Sequence, residues 1–117
     1  MNIEQFRDYC LAKKGVTESF PFDKTTLVFK VMGKMFALVN IEHFAFINLK
    51  CDPEKAIELR EEFEGVTPGY HMSKVHWNSV SSKGDINDQN MLEWTDNSYN
   101  LIVTSLTKKL QQELTAL

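Results

Sequence analysis

Apolar residues recur every three to four positions at the start of the chain: Ile3, Phe6, Tyr9 and Cys10. That spacing places them on one face of a helix. Asn2 stands where an N-cap belongs, and Gln5, three residues on, supplies the partner of a capping box. Gly15 is the expected stop. Residues 16–24 read as a connector, kept extended around Pro21, with Phe20 and Phe22 expected to pin it to the core. The period then shortens to two. Segments 26–32 and 35–40 flank Gly33-Lys34, and glycine at the first loop position suits a two-residue type II′ hairpin. That register pairs Val31 with Phe36 and Phe29 with Leu38. It assigns Leu27, Phe29, Val31, Phe36 and Leu38 to the core. The opposite face shows Val28, Lys30, Met32, Met35, Ala37 and Val39, which is less polar than a wetted face should be. Something covers that face or binds to it.

A third strand is expected over 44–50. Asp52 then caps a second helix with Pro53 at its first position, where a missing N–H costs nothing. Ala56, Leu59 and Phe63 form its inner stripe, and Gly65 ends it. Residues 66–74 are turn-rich, 75–81 read as a fourth strand, and Lys83-Gly84 as the turn after it. Asn87 or Asp88 opens a short helix over Met91, Leu92 and Trp94. Asp96 caps a last helix whose stripe is Tyr99, Ile102, Val103, Leu106 and Leu110, with Lys108 and Lys109 in its later turns, where they suit the helix dipole. The order predicts an α+β fold: a two-layer sandwich in which an antiparallel meander sheet carries helices on one face. Residues 1–117 are expected to form a single domain.

Composition narrows the function classes. A chain of 117 residues that is 43% hydrophobic and 25% charged has enough apolar material for one core and is not disordered. No apolar run approaches the length of a membrane span, and the first residues lack the shape of a signal peptide. A cytoplasmic protein with no membrane contact is expected, acting as a monomer. The net charge of −3 argues against a whole-molecule attraction to DNA or anionic lipid. The charge is nevertheless segregated. Residues 24–50 carry Lys24, Lys30, Lys34 and Lys50 against Glu42 alone, and residues 66–84 carry Lys74 and Lys83 with no acid. The acids crowd 52–64 and 85–96.

Catalytic chemistry is sparse. Cys10 and Cys51 fit no metal or redox spacing, and both are expected to be reduced thiols, with Cys51 a small apolar residue at a strand end. His43, His71 and His76 have no acid or thiol at metal-ligand spacing. The glycines are scattered turn and cap residues, so no phosphate-cradling loop is present. Ser79, Ser81 and Ser82 lack the context of a nucleophile elbow. No catalytic residue, metal or cofactor is assigned, and an enzyme is not expected. The richest cluster is Gly69-Tyr70-His71-Met72-Ser73-Lys74-Val75-His76-Trp77-Asn78, whose cations, imidazoles and aromatics suit contact with phosphates and bases.

Two stretches carry a resemblance. One is Thr17-Glu18-Ser19-Phe20-Pro21-Phe22 running into residues 27–38. The other is Leu49-Lys50-Cys51-Asp52-Pro53 leading to residues 68–77. Together they make the chain resemble the MmcQ/YjbR family of small bacterial proteins over nearly its whole length, including Ser98-Tyr99 and Lys108-Lys109. The resemblance implies a frataxin/CyaY-type fold and DNA binding through a "double wing" of hairpins. Carried onto this chain, the wings are the Gly33-Lys34 turn and the segment from Lys74 to Lys83, the two positive stretches. Frataxin-like iron binding is not expected, because the first helix mixes Lys13 and Lys14 with Glu4 and Asp8. The resulting expectation is weak DNA binding, with Lys30, Lys34, Lys74 and Lys83 on phosphates and Tyr70, His71, His76 and Trp77 stacking or anchoring. The alternative is a module for a small molecule or protein partner on the open sheet face, with Met32, Met35 and Val39 as its apolar patch.

Overall fold

The computed structural model describes residues 1–69 and 72–117. Asn2 caps helix α1 (Ile3–Leu11), and the capping box is complete, since Gln5 Oε1 accepts the Asn2 N–H in return. Phe6 and Cys10 are the residues it buries. The helix ends at Leu11, and Gly15, at φ +75°, turns the chain into strand β1 (Val16–Ser19) instead of capping the helix. The expected connector is thus an edge strand, paired antiparallel with β2 (Thr26–Val31). That pairing holds the segment in place, so Phe20 and Phe22 do not reach the core and stay 46% and 63% exposed.

The hairpin between β2 and β3 (Lys34–Asn40) departs from the expected register. Val31 pairs with Lys34, so the loop is Met32-Gly33, with φ of 49° and 85°. Positive φ at both loop residues is the type I′ geometry. A methionine there is strained. Met32 is held by its N–H bond to the Gly15 carbonyl (3.2 Å) and by packing of its side chain on the core. Further along, Lys30 pairs with Met35 but Phe29 pairs with Ala37, so Phe36 is the extra residue of a β-bulge. Past the bulge the faces of β3 exchange. Phe36, Ala37 and Val39 join Leu27, Phe29 and Val31 in the core, while Leu38 joins Val28 on the other side.

Strand β4 (Phe46–Lys50) continues the meander, and Asp52 caps α2 (Pro53–Glu62) as expected. Ala56 and Leu59 are buried, Phe63 packs on the core from the helix end, and Ile57 faces solvent. A three-residue strand, β5 (Val66–Pro68), lies in the stretch read as turns; β6 (Trp77–Ser81) follows. The six strands lie in the order β1-β2-β3-β4-β6-β5, all antiparallel, with β1 and β5 at the edges.

Helix α3 (Asp88–Ser105), capped by Asn87, runs unbroken where two helices were expected. Asp96 lies in its middle because its carboxylate is taken by the Tyr9 hydroxyl (2.8 Å) and by Lys13. Lys108 and Lys109 begin a separate helix, α4 (Lys108–Thr115), capped by Thr107, and so stand in a first turn, not a last one. Phe6, Leu59, Met91, Trp94, Ile102, Leu106 and Leu114 come from helical segments and join one core cluster with the inner sheet face. The helices therefore cover one face. Fully burying each of Phe6, Phe29 and Phe36 contributes roughly 1.5–3 kcal/mol.

Candidate nucleic-acid interface

The face without helices bears the side chains that alternate away from the core. One row across it reads Val28, Leu38, Asn48, Ser79 and Thr67, following the strand register. Trp77 is the anchor of this face. It is only 8% exposed and clusters with Val28 and Leu38, with Met35 and Met72 packed around them. Of the two roles expected for Trp77, anchoring is therefore the one its burial permits. Gly69 makes the anchor fit: its N–H donates to the Trp77 carbonyl at 2.8 Å, and a Cβ at Gly69 would stand 2.7 Å from the Trp77 Cβ. Arg60 braces the same segment from α2. Its guanidinium donates to Asn78 Oδ1 at 2.7 Å and to the backbone carbonyls of Lys74 and Trp77.

The register decides which cations meet. Lys34 opens β3 at the hairpin loop, and Lys30 pairs with Met35 one step away. Lys50 ends β4 opposite Trp77, the first residue of β6, so the exposed Lys74 and His76 just before it lie at that same end of the sheet. Ser81 pairs with Phe46 at the other end, after about 13 Å of strand. Lys83 lies beyond it. The structure thus brings Lys30, Lys34, Lys74 and His76 to one end and sets Lys83 at the opposite end. Tyr70 and His71 lie outside the described residues. Lys50 belongs with the first group and was missed as a site residue, although its two-residue alternation with Phe46 and Asn48 was visible in the sequence. Among the described residues, none of Lys30, Lys34, Lys50 and Lys74 forms an ion pair; the lysines that do are Lys13 with Asp96 and Lys55 with Glu58.

The apolar patch is also relocated. Val39 is buried in the core, and Met32 and Met35 pack on buried clusters. Two exposed apolar groups meet on this side, Phe22 and Phe46, the latter 50% exposed. They border a cleft of about 890 Å³ that also takes in Leu38, Asn48, Met72 and Ser79. A second cleft, of about 570 Å³, lies between α2 and α3 over Leu49, Leu59, Val80 and Trp94. Cys51 sits at its side. Burial, with the Asp52 carboxylate next in effect, pushes the Cys51 thiol above its ordinary pKa, which keeps it protonated and unreactive. Among the described residues no three of His, Cys, Asp and Glu converge as metal ligands. No described helix is long and apolar enough to cross a membrane.

The YjbR family model matches residues 11–101. The chain belongs to the YjbR family. It is similar to the uncharacterised protein YjbR of Escherichia coli K12, at 32% identity over the full length of both chains. YbdF of Escherichia coli O157:H7 is 36% identical over 81% of this chain and 79% of its own. Among solved structures, a Deinococcus radiodurans protein with a DUF419 domain superposes with a TM-score of 0.90 at 36% identity, over 97% of this chain and 88% of that one. A Pseudomonas syringae protein gives 0.72 at 29% identity, over 86% and 98%.

Proposed function

We propose that this YjbR-family chain binds nucleic acid weakly, without an enzymatic step, through the helix-free face of its sheet. The observation that supports this reading is the set of four lysines, Lys30, Lys34, Lys50 and Lys74, at one end of the sheet, none of them in an ion pair among the described residues. They meet phosphates, with His76 beside them, while Trp77 fixes the backbone that carries Lys74. Lys83 is dropped from the phosphate set because it lies at the far end. The net charge of −3 keeps affinity low and confines attraction to the lysine end.

The test is anisotropy of labelled duplex and single-stranded DNA at two salt concentrations. Four phosphate contacts give a log–log salt slope of about −3.6 on duplex and about −2.8 on single strands. Between about 50 and 200 mM salt this is a loss of roughly 150-fold and 50-fold respectively. Lys34→Glu with Lys74→Glu is expected to halve the slope and abolish binding at moderate salt while the fold persists. Unchanged affinity in this double variant refutes the reading. The exposed Phe22–Phe46 cleft favours a second reading, a small-molecule module, whose affinity would barely respond to salt.

A further inference from the structure

The bare face changes character along its strands. Lysines occupy one end, and the cleft of about 890 Å³ occupies the middle and the other end. Its size is that of a small-ligand site. Its flanks are the rings of Phe22 and Phe46, 63% and 50% exposed, and among the described residues neither ring is stacked on another aromatic. Between them, amid apolar Leu38, Ala45 and Met72, lie two neutral polar side chains. Asn48 and Ser79 are cross-strand partners, and the Ser79 hydroxyl donates to Asn48 Oδ1 at 2.5 Å. That bond uses the amide's acceptor. The Asn48 side chain makes no other hydrogen bond among the described residues, so its NH2 remains to donate into the cleft.

The carboxylate on the rim is already committed. Asp23 accepts the N–H groups of Thr25 and Thr26 and both their hydroxyls. Those bonds, the two backbone N–H groups first, hold its carboxyl below the usual range. The cleft therefore offers two apolar planes and the neutral donor of Asn48, with His43, Asn40 and Thr67 also on its lining, beside a carboxylate whose lone pairs are spoken for. An anionic group finds no lysine or arginine among the lining residues, and His43 alone could serve it as a cation. A planar, uncharged ring with a carbonyl or ring-nitrogen acceptor on its edge matches all of these features.

We propose that this cleft is a nucleobase subsite, in which one unstacked base lies against Phe46 and Phe22 and accepts a hydrogen bond from Asn48 Nδ2. The base must come from a single strand or a free nucleoside, because a duplex base has both faces stacked and its pairing edge engaged. For a single strand the inference rests on the nucleic-acid reading above. Lys50 stands about 13 Å along β4 from Phe46, which lets the lysine end meet phosphates on one side of the seated base.

The probes are labelled oligothymidine, an abasic strand of equal length, and thymidine alone, followed by anisotropy and by the NMR signal of the Asn48 side-chain NH2. Phe46→Ala and Asn48→Asp are expected to weaken oligothymidine binding about tenfold each, and the abasic strand should bind the wild type correspondingly less and ignore both changes. Phe46 is half exposed, so its removal leaves the fold intact, as circular dichroism will check. If the abasic strand binds as tightly as oligothymidine, or neither variant changes affinity, the subsite is refuted while the lysine reading stands. If no strand binds but thymidine shifts the Asn48 NH2 signal, the subsite holds with a free nucleoside as its ligand, and the polymer reading falls. If neither strand nor thymidine binds, both are overturned.

Discussion

Ser98 joins the two central strands from outside the sheet. The β3–β4 ladder stops at Ala37 and Leu49, and the buried Ser98 hydroxyl of α3 links the next residues, Phe36 and Lys50. It donates to the Phe36 carbonyl at 2.6 Å and accepts the Lys50 N–H at 2.9 Å. Ser98→Ala removes one oxygen and leaves one donor and one acceptor without partners. Each such group costs about 1–3 kcal/mol when buried. The Lys50 N–H is only part-buried, so the lower half of the summed range applies, about 2–4 kcal/mol. A chain of this size has a urea slope near 1–1.5 kcal/mol/M, so the midpoint should fall by roughly 2 M with the slope unchanged. Trp94 and Trp77 report the transition by fluorescence. Ser105→Ala is the control, because Ser105 bonds only its own helix, at the Ile102 carbonyl, and should shift the midpoint by less than about 0.5 M. If Ser98→Ala moves the midpoint no further than Ser105→Ala, the hydroxyl does not bridge Phe36 and Lys50.

Three further outcomes are expected. Gly69→Ala forces a Cβ to 2.7 Å from the Trp77 Cβ and 3.0 Å from its carbonyl oxygen, so it should cost about 1–3 kcal/mol and shift the Trp77 emission; an unshifted spectrum and midpoint would contradict the packing. Burial raises the Cys10 thiol to about 12, from an ordinary value near 9. The unfolded chain therefore loses this proton first as pH rises, and stability present below pH ~9 should decline by up to about 1.4 kcal/mol per pH unit on the way to 12. Denaturant midpoints in Cys10→Val should lose that component of the alkaline slope; an identical slope would show that the thiol is not its source. Lys83→Glu, at the far end of the sheet, should leave DNA affinity within about twofold of wild type, and a loss equal to that of Lys34→Glu would place Lys83 back among the phosphate contacts.

What was legible in the sequence had short-range causes. The capping box of Asn2 and Gln5, the Asp52-Pro53 start of α2 and the buried pairs Phe6–Cys10 and Ala56–Leu59 depend on neighbours three or four residues away, and all are present; the last stripe was found as residues but is divided between α3 and α4. The register of the hairpin was not legible, because the bulge residue Phe36 has its carbonyl held by Ser98, 62 residues on. The continuity of α3 through Asp96 was hidden for the same reason, since its partner Tyr9 is 87 residues away. Strand β5 is three residues long and ends in proline, too short to leave a period. The lysines of the candidate site were identifiable as residues but not as a group. Only the pairing of Lys50 with Trp77 and of Phe46 with Ser81 puts Lys74 and Lys83 at opposite ends. Phe22 reads as core from its chemistry, and only its place beyond the last pair of β1 with β2 explains why it is exposed.

A sheet that leaves one face bare and two edges open invites other chains to add strands to it. The edge strands answer that hazard by their brevity. β5 offers three residues, and Pro68 at its end has no N–H to give. β1 offers four, and its Glu18 is held by Arg7 of α1 in two short bonds, which sets an ion pair against the strip a docking strand would need. The long strands β2, β3 and β4 all lie inside. The chain thus gives an incoming strand little backbone to pair with, while the middle of its sheet keeps one face without helices.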